Sequence, residues 1–86
     1  MNDDQKPILD SNSHPLKEGD VVKLLNASED LLRGLPSSDQ SAIQDQVNKT
    51  MTIQGFNEHG HIELEFTDAN GDMHFIWVEP KDIEKV

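Results

Sequence analysis

Between Met51 and Val78, in MTIQGFNEHGHIELEFTDANGDMHFIWV, three runs of strand-forming residues are separated by two short stretches that each end in glycine. In the middle run Ile62, Leu64 and Phe66 alternate with Glu63, Glu65 and Thr67, and this strict period of two gives a strand one apolar and one polar face. The flanking stretches, Asn57-Glu58-His59-Gly60 and Asp68-Ala69-Asn70-Gly71, put Gly where a type I turn plus bulge needs positive φ. A meander of three antiparallel strands follows. In its first strand Met51 and Ile53 alternate inward while Phe56 falls out of step, so a bulge is expected at Gly55.

The register of the last strand stays open. If Asp68 pairs with Asp72 across a three-residue loop, Phe66 faces His74, Leu64 faces Ile76 and Ile62 faces Val78 on the inner side. Phe75 and Trp77 then point outward beside Glu65 and Glu63. If Asn70-Gly71 forms a two-residue type I′ turn, the register moves by one residue and Phe75 and Trp77 enter the core. Trp77 is the only tryptophan, so the choice decides whether it anchors the core or faces a partner.

Eighty-six residues allow one domain, which buries only about 60% of its unfolded surface. No cysteine staples it, no apolar run approaches a membrane span, and the acidic N-terminus does not resemble a signal peptide. A cytoplasmic protein is expected, with a monomer as the default state. Residues 1–15 carry two prolines and no periodicity, and read as a flexible tail whose apolar anchors are Ile8 and Leu9. The domain proper spans 16–86. Its first strand, Val21-Val22-Lys23-Leu24-Leu25, turns in either Val22 and Leu24 or Val21 and Leu25.

A helical insertion is expected over residues 27–48. Ser28 caps a first turn that Gly34 stops, and Ser37-x-x-Gln40 fits a capping box for a second helix with Ile43 and Val47 on one face and Asn48 at its end. Leu31, Leu32 and Leu35 then either cover the sheet or line a binding groove. After the meander, Pro80 starts a 3₁₀ turn before a short closing strand anchored by Ile83.

The opening Gly19-Asp20-Val21-Val22, the long excursion, the meander and the closing Val78-Glu79-Pro80-Lys81-Asp82-Ile83-Glu84 together resemble the small SH3-like barrels over residues 16–86. Asn48-Lys49-Thr50-Met51-Thr52-Ile53 also resembles the G-K-x-x-x-V entry of bacterial SH3-like proteins, with Asn48 in place of Gly. The resemblance implies an all-β barrel of about five antiparallel strands with a helical insertion between strands 1 and 2. It also implies roles such as accessory subunit, interaction module or acidic antirepressor. The chain has no Tyr, against the tyrosine-lined groove of proline-binding members, and it is acidic where nucleic-acid-binding members are basic.

Seventeen acidic against seven basic residues give a net charge of −10, which repels nucleic acid and anionic membranes. From Glu58 to Glu79 there are six carboxylates and no Lys or Arg. Other chemistry is sparse. His59, His61 and Glu58 share one hairpin, but His74 lies roughly 17–20 Å away along the strand, so no metal or other cofactor is expected. Asp68 to Asp72 with Glu79 imitates an EF-hand loop, yet Met73 occupies the position that requires Gly. Glu63 and Glu65 stand about 7 Å apart on one strand face, a spacing open to acid–base work, but no pocket-forming sequence surrounds them.

The expected function is therefore a non-enzymatic protein-interaction module or accessory subunit whose partner is another protein. Its candidate anchors are Trp77, Phe75, Leu31, Leu32 and Leu35, rimmed by Glu63 and Glu65. The alternative is an acidic regulator that occupies a nucleic-acid-binding surface through Glu58, Glu63, Glu65, Asp68 and Asp72.

Overall fold

The computed structural model describes residues 7–86. Its meander consists of β2 (Thr50–Phe56), β3 (Ile62–Thr67) and β4 (Met73–Val78). The two turns are built alike. Asp68 N–H donates to Asp72 O at 2.9 Å and Gly71 N–H to Asp68 O at 3.0 Å, with Gly71 at φ +86°. Asn57 N–H donates to His61 O at 3.0 Å and Gly60 N–H to Asn57 O at 3.1 Å, with Gly60 at φ +82°. In each case the first side chain also braces the loop. Asp68 Oδ1 accepts from Asn70 and Asp72 N–H, and Asn57 Oδ1 from His59 and His61 N–H, all at 2.9 Å.

This chemistry selects the three-residue loop and with it the register. Phe66 faces His74, Leu64 faces Ile76 and Ile62 faces Val78, so Phe75 and Trp77 lie outside the core, opposite Glu65 and Glu63. A type I′ turn on Asn70-Gly71 has no comparable use for the Asp68 carboxylate. The β2–β3 ladder slips between Ile53 and Gly55, where the bulge was expected, and returns the half-buried Phe56 to the core side opposite Ile62.

β1 (Val21–Leu24) pairs with β2 through Val22↔Met51 and with β5 (Ile83–Lys85) through Leu24↔Ile83. All five strands form one open antiparallel sheet in the order β4-β3-β2-β1-β5. Val22 and Leu24 are the inward pair, and with Ile53, Ile62, Leu64 and Ile83 they are almost fully buried. Pro80–Asp82 forms the 3₁₀ turn that feeds β5. No helix among the described residues is long and apolar enough to cross a membrane.

Between β1 and β2 run two short helices, α1 (Glu29–Leu32) and α2 (Ser37–Gln44). Ser28 caps α1 by accepting from Leu31 N–H at 3.2 Å, and Asn48 takes positive φ before β2. The capping box is not formed. Pro36 is the N-cap of α2, and Gln40 instead donates from Nε2 to the carbonyls of Leu32 and Leu35, at 3.2 and 3.0 Å, tying α2 back to the end of α1. Ile43 is buried, and Leu31, Leu32, Leu35 and Val47 pack half-buried against the same core. Helices this short are unstable alone, so that packing holds them.

Of the residues assigned to the tail from sequence, 1–6 lie outside the described residues, and within 7–15 Ile8, Asp10 and the Ser11 amide are tied to the sheet while residues 11–15 stay exposed. Ile8 joins the core edge, Leu9 bridges to Pro15, and Leu16 N–H donates to Ile8 O at 2.9 Å. The anchor is a carboxylate: the Asp10 side chain is 0% exposed. Its Oδ1 accepts from Asn12 and His14 N–H at 2.9 and 2.8 Å, and its Oδ2 from Lys85 N–H on β5 at 2.6 Å. Ser11 N–H adds a bond to Ile83 O at 3.0 Å. Burial pushes the Asp10 carboxyl up, but the N–H groups of Lys85, His14 and Asn12, with the His14 ring, outweigh it and hold the group below its ordinary value.

Candidate functional site

An open sheet has two edges, and this one treats them differently. The β5 edge is only three residues long and is covered by the Asp10 and Ser11 bonds to Lys85 and Ile83. The β4 edge is six residues long, Met73-His74-Phe75-Ile76-Trp77-Val78, with no Lys, Pro or bulge to blunt it. No backbone group of β4 bonds to any described segment other than β3.

Hydrogen-bonded and non-hydrogen-bonded pairs alternate along an antiparallel ladder. The bonded Asp68–Asp72 pair therefore puts Phe66–His74, Leu64–Ile76 and Ile62–Val78 in the bonded class. Thr67–Met73, Glu65–Phe75 and Glu63–Trp77 fall in the other class, where side chains approach most closely. As a result Met73, Phe75 and Trp77 turn their N–H and C=O groups toward the free edge. The same three residues carry the outward side chains, 57%, 56% and 43% exposed. Apolar surface and unpaired backbone coincide on one strand.

Beside this ridge runs an acidic row. Glu65 and Glu63 stand directly across from Phe75 and Trp77, and neither forms an ion pair among the described residues. Next to Glu63 the bulge residue Gly55 leaves an open floor, with Glu63 Oε1 and Glu18 Oε2 each 4.0 Å from where its Cβ would stand. Glu18 joins the site only through this bulge, and no local pattern in the sequence announces it. At the C-terminal end of β4 a cleft of about 270 Å³ opens between Trp77, Leu31, Asp30, Glu79 and His61, with Ser28 at its wall. Asp30 is already paired with Arg33 at 3.1 Å, while Glu79 has no such partner among the described residues.

The structure thus brings Trp77, Phe75, Glu63 and Glu65 onto one face and adds Leu31 at the Trp77 end. It does not bring Leu32 or Leu35 to that face. Leu32 lines a separate cleft of about 340 Å³ with Glu29, Arg33 and Gln40, and Leu35 packs on the core cluster.

The remaining carboxylates of the acidic alternative are differently used. Asp68 Oδ2 lies 2.8 Å from His74 Nε2, and the His74 ring stacks on Phe66 at 4.8 Å between centroids. That imidazole first, then the Asp72 N–H, holds the Asp68 carboxyl below its ordinary value against some burial. Glu58 lies 3.6 Å from His59 at the opposite end of β3, and the His59 and His61 rings are 6.4 Å apart. No three His, Cys, Asp or Glu side chains converge among the described residues. No protein-family model, curated protein or solved structure matches the chain.

Proposed function

We propose that the chain is a non-enzymatic protein-interaction module, or a small accessory subunit, that receives another protein along β4. The observation that carries this reading is the coincidence, on an edge without main-chain partners and flanked by α1 only beside its Trp77 end, of exposed Phe75 and Trp77 with unpaired main-chain groups. Aromatic side chains dominate binding hot spots because they remove large apolar areas from water with few rotors to freeze. The protected β5 edge supports the reading further, since uncovered edges invite aggregation and are commonly blunted where they serve nothing. We also take the fold to be SH3-like in topology, with the barrel left open along β4. Supporting this are its strand order, with β1 between β5 and β2, the 3₁₀ turn before β5, and the insertion between the first two strands.

The acidic-mimic alternative draws less support. A phosphate-like array needs several free carboxylates, and Asp68 is engaged by its own turn and by His74.

Affinity capture from native extract with the unmodified chain and with Phe75→Ala/Trp77→Ala tests the proposal. The expected result is a protein partner retained at ~0.5 M salt and lost on the double substitution, with the variant still folded. A partner released by salt and indifferent to the substitution would replace this reading with the acidic one.

A further inference from the structure

We infer that the occupant of the β4 edge is a basic extended segment, which adds as an antiparallel sixth strand and lays Lys or Arg side chains across Phe75 and Trp77 onto Glu65 and Glu63. The inference rests on the interaction-module reading and names the chemistry of its partner.

The geometry decides which side chains meet. In an antiparallel addition, a residue whose N–H and C=O bond to those of Phe75 sits directly opposite Phe75 and shares its outer face. The same holds at Trp77, two residues on. Side chains at every second position of the incoming segment therefore stand beside the two rings. The carboxylates of β3 lie two strand spacings away, about 9–10 Å. A Lys or Arg stem spans most of that distance, its methylenes on the ring and its charge delivered to the carboxylate. A cation over an aromatic face, closed by a carboxylate, is a favourable site for a guanidinium or ammonium group. Trp77 and Glu63, with Phe75 and Glu65, supply two such sites at strand spacing. The cleft at the end of β4, with Glu79 and the Trp77 ring on its wall, extends the same chemistry to the next position.

Charge selects among possible occupants. A second copy of this chain would bring a net charge of −10 to a chain of −10, and its own β4 carries no Lys or Arg to reach Glu63 and Glu65. An acidic or neutral strand would leave the β3 carboxylates without countercharge beside a newly dried ladder. A basic strand neutralises them.

The test uses a blocked seven-residue peptide of alternating Arg and Thr, a counterpart with Glu for Arg, and two N-methylated forms of the Arg peptide. Binding is read from Trp77 emission and from calorimetry on the full chain. The Arg peptide is expected to bind and to shift the Trp77 emission, with the Glu peptide at least tenfold weaker. N-methylation at the Arg positions, whose N–H groups face β4, is expected to abolish binding, whereas N-methylation at the Thr positions spares it. Glu63→Gln and Glu65→Gln together are expected to weaken binding at least tenfold without unfolding the chain, as checked by circular dichroism.

Equal binding of the Glu peptide would overturn the choice of charge, and indifference to N-methylation at Arg would overturn strand addition. A homodimer in sedimentation that dissociates on Trp77→Ala would replace the basic segment with a second copy. In each of these cases the extract experiment above still judges the interaction module on its own. If that experiment fails while the Arg peptide binds, the edge chemistry stands and the broader reading falls.

Discussion

Asp10→Ala is expected to cost this domain much of its stability, although residue 10 lies in a stretch that looks dispensable. The carboxylate accepts three backbone N–H groups, from Asn12, His14 and Lys85, at 2.9, 2.8 and 2.6 Å. Hydrogen bonds to a charged group contribute about 1.5–3 kcal/mol each, so a simple sum overshoots what can be lost. Residues 11–15 are exposed, and their freed amides recover water while the released loop regains backbone freedom. The Lys85 amide is the exception, because it belongs to an edge strand of three residues that depends on this contact. A net loss of about 2–3 kcal/mol follows, a large share of the ~5–15 kcal/mol by which native domains are stable.

Urea unfolding followed by Trp77 fluorescence measures the loss, and amide exchange at Lys85 and His14 locates it. Asp10→Asn keeps one acceptor oxygen but sets an NH2 donor against the N–H on the other side, and is expected to recover little of the loss. The pH dependence follows from the direction of the Asp10 shift. A carboxyl held below its ordinary value contributes stability above that ordinary value and loses it as pH falls through the folded one, so the difference between the two proteins shrinks in acid below pH ~4. A loss under about 0.5 kcal/mol, with Lys85 exchange unchanged, would refute the clamp.

Two further outcomes test the register and the second turn. Ile76→Ala is expected to cost about 2–4 kcal/mol in urea unfolding, and Phe75→Ala less than about 1, whereas the rejected register predicts the reverse order. The Asp68 carboxyl, held down first by His74, is expected to titrate below its ordinary value by NMR. His74→Gln should move it upward, and the stability that Asp68 lends its turn is present above the ordinary carboxylate value and disappears as pH falls through the folded one.

Local chemistry made most of the sheet legible. Alternation at Ile62, Leu64 and Phe66, the glycines of the two turns and the stray Phe56 each bear on one or two neighbouring strands, and each is satisfied by the observed ladder. The choice between loops was not legible, because it turns on where the Asp68 side chain directs its oxygens, toward Asn70, Asp72 and His74. The capping box failed for a related reason. Gln40 had two carbonyls within reach past the end of α1, at Leu32 and Leu35, and a side-chain donor serves those as readily as it returns to its own N-terminus.

The candidate site was half legible, and the missing half is what gives it meaning. Phe75, Trp77, Glu63 and Glu65 can be named from one strand and its neighbour, but whether that strand is an edge depends on how the whole sheet is ordered. Here the order leaves β5 and β4 outermost, and a carboxylate at residue 10 reaches residue 85 to close one of them. Without that closure the exposed backbone would lie equally at both ends and would single out neither. With it, the one edge left open is also the edge carrying the aromatic pair and facing the acidic row. A chain that needed only solubility would gain nothing from gathering Met73, Phe75 and Trp77 there, since its charge already keeps copies apart. The asymmetry between the edges is thus the feature that turns a surface description into an expectation of binding.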